Sequence, residues 1–104
     1  MSPAEIFKVS TDAVNELVGE LEKYPANLKW KLQNETKTKD ATPVVIGQLF
    51  ETQFKNWRVL VYVPANGEMC GGTMTDATSG VNAIFIPQTI AKRLYEESIR
   101  KILP

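Results

Sequence analysis

The chain has 104 residues, with 12 Lys and Arg against 12 Asp and Glu, one Cys and no His. That length gives one domain of ordinary size, burying about 65% of the surface its unfolded chain would expose, and excludes a second. Hydrophobic residues at 43% and charged residues at 23% are ordinary for a soluble globular domain, and zero net charge removes the long-range field on which nonspecific nucleic-acid capture depends.

Residues 3–24 predict an amphipathic helix. At 100° per residue Ile6, Phe7, Ala13, Val14, Leu17, Val18, Leu21 and Tyr24 fall on one stripe. Ser2 caps it, Pro3 takes the first helical position, Glu5 completes a Ser-x-x-Glu capping box, and Pro25 ends it. The alternative has Ile6 to Val9 extended and the helix starting at Thr11 or Asp12. Residues 29–37 alternate as a half-buried strand, with Trp30 and Leu32 on one side and Lys29, Lys31, Gln33 and Glu35 on the other. The polar run 37–43 is a loop, and 44–54 a second strand in which Gly47 marks a bulge or bend.

Lys55-Asn56 is a tight turn into a third strand over 57–63, whose apolar residues on both faces place it centrally in the sheet. Asn66-Gly67 predicts a type I′ hairpin turn with positive φ at both residues. A fourth strand over 69–75 contains Gly71-Gly72 and is expected at a sheet edge. Residues 76–80 turn, 81–86 form a fifth strand, and Pro87 opens a second helix to about Leu103 with Ile90, Ala91, Leu94, Tyr95, Ile99 and Ile102 inward. Its outer side carries the i,i+4 pairs Lys92–Glu96, Arg93–Glu97, Glu96–Arg100 and Glu97–Lys101. Short connections demand antiparallel pairing. The fold is therefore α+β in two layers, an antiparallel four- or five-stranded sheet with the N-terminal and C-terminal helices packed on one face.

No apolar run reaches the roughly 18 residues of a membrane span, and the first residues lack a basic region followed by an apolar stretch, so no membrane and no secretory signal are expected. A lone Cys70 makes no internal disulfide, and a cytoplasmic location is the expectation. Without His neither a Ser-His-Asp triad nor a Cys-His dyad can be assembled within the chain, and one Cys does not supply a zinc site. No calcium loop, phosphate-binding Gly-Lys-Ser/Thr loop or dinucleotide fingerprint is present. No cofactor and no metal are expected. Glu35, Asp40, Glu51, Glu68 and Asp76 show no spacing that pairs two carboxylates, and Cys70 has no Lys, Arg or His within several residues to lower its pKa.

With Trp30, Leu32, Trp57, Val59 and Val61 under the helices, the opposite face presents Lys29, Lys31, Gln33, Leu49, Glu51, Arg58, Leu60 and Tyr62. Apolar Leu49 and Leu60 beside Tyr62 and Arg58 match the composition of association surfaces. A small non-enzymatic binding or regulatory protein follows, working through this open face or a sheet edge on a protein partner or as a homodimer. Lys29, Lys31, Leu49, Arg58, Leu60 and Tyr62 are its candidate binding residues. A second expectation is a single-stranded nucleic-acid module, with Tyr62 as stacking platform and Lys29, Lys31, Lys37, Lys39, Lys55 and Arg58 as phosphate partners; neutral charge disfavours it. A third is a small enzyme using carboxylates, Lys or Cys70.

Overall fold

The computed structural model describes residues 3–78 and 83–103, and in the first helix the side chains from Asp12 onward. Five strands form one antiparallel sheet in the order β1-β2-β3-β4-β5, from β1 (Lys31–Lys37) through β2 (Val45–Phe54), β3 (Trp57–Pro64) and β4 (Gly71–Asp76) to β5 (Ile84–Ile86). Helix α1 spans Pro3–Lys23, and the C-terminal helix begins as α2, Gln88–Leu94. The predicted capping box and the side chains of Ile6 and Phe7 lie outside the described residues.

The core is where the two layers meet. Ala13, Val14, Leu17 and Leu21 of α1 join Phe50, Phe54, Val59, Val61 and Met74 of the sheet and Ala91 and Leu94 of α2 in one buried cluster. Strand alternation makes this inevitable once register is set: Phe50 pairs Val61 and Thr52 pairs Val59, so their side chains project to the same side. Tyr24 closes the helical stripe in sequence but is 58% exposed, because the chain leaves the helix after Lys23 and turns through Pro25–Asn27. Leu32 pairs with Phe50 on the helix side, yet is 48% exposed. It stands on an edge strand none of whose residues is buried.

Several local expectations are corrected. The register of β1 on β2 slips between Leu32 and Asn34, so Gln33 is bulged and leaves the alternation read from 29–37. A second slip falls between the pairs Thr36–Gly47 and Lys37–Val45, beside the glycine expected to mark one. The 64–67 turn is not type I′. The Gly67 N–H donates to the Pro64 carbonyl at 2.9 Å, and of Asn66 and Gly67 only the glycine has positive φ. Met69 also takes a left-handed φ of 53°, which keeps it out of β4.

Strand β4 is interior, between β3 and β5, and β5 is the edge. Of the two glycines, close packing requires Gly72 and not Gly71, where a Cβ would meet nothing. A Cβ at Gly72 would meet the Leu60 carbonyl oxygen at 2.9 Å and Ile86 Cδ1 at 3.2 Å, so close packing rather than an exposed edge excludes a side chain. Of the predicted fifth strand, Val81 and Asn82 lie outside the described residues.

The C-terminal helix changes pitch. After Leu94 the chain makes a π turn, Tyr95–Ile99, and then a 3₁₀ turn, Arg100–Ile102. The Ser98 hydroxyl donates to the Leu94 carbonyl at 2.7 Å and accepts from Trp30 Nε1–H at 2.8 Å. This side-chain bond to the preceding turn competes with the α-helical ladder. The broken period brings Ser98 and Leu103 inward and leaves Ile102 exposed. Of the predicted outer pairs Arg93–Glu97 forms, at 2.8 Å, whereas Lys92 reaches Glu68 at 3.4 Å.

Candidate functional site

Both helices lie on one side of the sheet, so the alternate residues face away from them. Register aligns those residues in rows. Lys31, Glu51, Leu60, Thr73 and Phe85 stand side by side across all five strands. A neighbouring row carries Asn34, Leu49, Tyr62 and Gly71, and another Gln53, Arg58 and Thr75. Leu49 and Leu60 are half-buried by their neighbours, Tyr62 is 39% exposed and Phe85, on the edge strand, is 84% exposed. The result is an apolar band with a polar margin.

Two contacts fix its detail. The ring of Tyr62 lies across Gly47, where a Cβ would penetrate Tyr62 Oη and Cζ, so the missing side chain is what lets the ring lie flat on the sheet. Arg58 Nε donates to Glu51 Oε1 across β3 and β2, an ion pair that cancels both charges on this face.

Of the six residues predicted from sequence, Lys31, Leu49, Arg58, Leu60 and Tyr62 share this face. Lys29 does not. It precedes β1 and lines a cleft formed with the C-terminal helix. Phe85 and Thr73 were missed. Alternation with inward Ile86 would have put Phe85 on the open side, but its place in the Leu60 row depends on β5 pairing with β4. The basic set expected for phosphate contacts is dispersed: Lys37 pairs with Glu35 at 3.5 Å, Lys55 with Glu16 of α1 at 3.1 Å, and Arg58 with Glu51.

Cys70 lies in the core, its thiol donating to the Gly67 carbonyl at 3.7 Å. Burial pushes the thiol pKa up, outweighing the opposing field of Lys92. A buried, protonated sulfur is a poor nucleophile. The cleft that Lys29 lines has a volume of about 300 Å³ and does not include Cys70. Among the described residues no group of three His, Cys, Asp or Glu could hold a metal ion, and no helix is long and apolar enough to cross a membrane. In comparison with known proteins, no family model matches the chain, and no curated protein or solved structure matches it.

Proposed function

We propose that this is a small non-enzymatic binding or regulatory protein that acts through the open face of its sheet, by docking on a protein partner or on a second copy of itself. The observation that carries it is the band Leu49, Leu60, Tyr62 and Phe85 on the face away from both helices, with Phe85 84% exposed. Fully burying one such aromatic side chain in a partner is worth about 1.5–3 kcal/mol, a gain the isolated fold forgoes. Tyr and Arg in and beside the band match the side chains enriched at association surfaces.

Pairing of Arg58 with Glu51 supports a protein partner over nucleic acid, since the guanidinium on this face is already neutralised. A cytoplasmic setting goes with this reading, supported by the lone reduced thiol of Cys70.

The test is the double variant Tyr62→Ala, Arg58→Ala. Both side chains are exposed, so the fold should survive, while light-scattering mass or partner retention should fall. Unchanged mass and unchanged partner retention would overturn the assignment. Salt-sensitive retention of the native protein on a single-stranded oligonucleotide would redirect it to nucleic acid.

A further inference from the structure

The geometry points to a second binding site, separate from the sheet face, for a small apolar carboxylate. Its place is the cleft of about 300 Å³ between the 3₁₀ turn Pro25–Asn27, the segment entering β1 and the last turns of the C-terminal helix. The volume is at the lower end of those that hold small ligands. Pro25, Leu28, Trp30 and Ile102 form apolar walls, with Lys29 and Lys101 on the rim.

Charge selects the ligand. Glu97 also borders the cleft, but its carboxylate accepts from Arg93 Nε at 2.8 Å, and Arg93 extends to Glu22 at 3.7 Å. The lining thus carries two ammonium groups against one carboxylate that shares Arg93 with Glu22, and neither ammonium group forms an ion pair among the described residues. A body of hydrocarbon or aryl carbon seated on the walls places its carboxylate within reach of the flexible lysine side chains.

Local helix geometry gives an independent reason. Glu97 and Ser98 belong to the π turn Tyr95–Ile99, a departure from α-helical winding that recurs at functional sites. Ser98 also ties the cleft to the core, since its hydroxyl accepts the Trp30 indole N–H at 2.8 Å. A ligand against Trp30 is thus expected to register at that indole proton.

Octanoate is the probe, followed by chemical shifts of the Trp30 indole N–H and of the amides of 25–30 and 97–102. Saturable shifts confined to these signals are expected, with a dissociation constant below about 1 mM, a small-ligand affinity. Lys29→Gln and Lys101→Gln should each weaken binding about 3-fold or more, and octanol, lacking the carboxylate, should bind at least 3-fold more weakly than octanoate, as loss of a charge-assisted contact implies. Absence of saturation, shifts centred instead on Leu60, Tyr62 and Phe85, or equal binding of octanol would overturn the assignment. Tyr62→Ala with Arg58→Ala should leave octanoate binding intact, so failure of one site is distinguishable from failure of the other.

Discussion

Two glycines show how identical residues answer to different constraints. At Gly72 an added Cβ meets the backbone carbonyl of Leu60, which cannot rotate aside, together with Ile86 of the core. Gly72→Ala should cost about 1–3 kcal/mol by overpacking. At Gly47 the obstacle is the far end of the Tyr62 side chain, which can swing into solvent. Gly47→Ala should cost about 1 kcal/mol or less while displacing the ring from the open face. Urea denaturation of both variants decides the order. Cys70 makes a third case at this scale: its raised pKa means that the folded state holds the proton longer than the unfolded state does. Its contribution is fully present below the ordinary unfolded thiol value and is lost as pH climbs from there through the higher folded value. Stability measured from pH 7 to 10 should therefore fall more steeply for the native chain than for Cys70→Ala.

Among elements, the C-terminal helix is held by its irregularity. Ser98 accepts from Trp30 and donates to Leu94, so one hydroxyl joins the segment before β1 to the helix across 68 residues of sequence. Ser98→Ala strands a buried indole N–H, at about 1–3 kcal/mol. Trp30→Phe removes the donor as well as some packing, and the two changes combined should cost less than their sum, by about 1 kcal/mol in a double-mutant cycle. Additive losses in denaturant would show that the bond contributes nothing of its own. The fragmented helix also explains the charged pairs. Lys92 turns to Glu68 in the β3–β4 connection instead of Glu96, so an ion pair written locally in the sequence becomes a tertiary one. At 40% and 65% side-chain exposure that pair contributes at most about 1 kcal/mol.

For the whole molecule, the two sheet faces assign opposite roles to equally apolar residues. Leu17 is fully buried between α1 and the sheet, whereas Phe85 is 84% exposed on the other side. Leu17→Ala should cost about 2–5 kcal/mol, a large share of an ordinary domain's 5–15 kcal/mol. Phe85→Ser should change stability by about 0.5 kcal/mol or less, yet alter association. Thermal unfolding and light scattering on the same pair of variants separate the two effects. If Phe85→Ser unfolded the domain as readily as Leu17→Ala, the open face would be part of the folding core.

Much of this was written locally. Hydrophobic period over 3–24 placed the helix Pro3–Lys23 and strands β2 and β3, short turns required antiparallel pairing, and parity put Leu49, Leu60 and Tyr62 on the side away from Val59 and Val61. Periodicity is a property of neighbouring residues, which is why one sequence suffices for it. Tertiary structure decided what depends on distant partners. It set the bulge at Gln33, which takes Gln33 out of the expected face, began β1 at Lys31, which leaves Lys29 beside the cleft, and made β4 interior and β5 the edge, which exposes Phe85. It also neutralised Arg58 with Glu51 and drew Ser98 to Trp30. Register, edge position and ion pairing are set by which strand or helix arrives alongside, and a single-strand pattern carries no record of its neighbour.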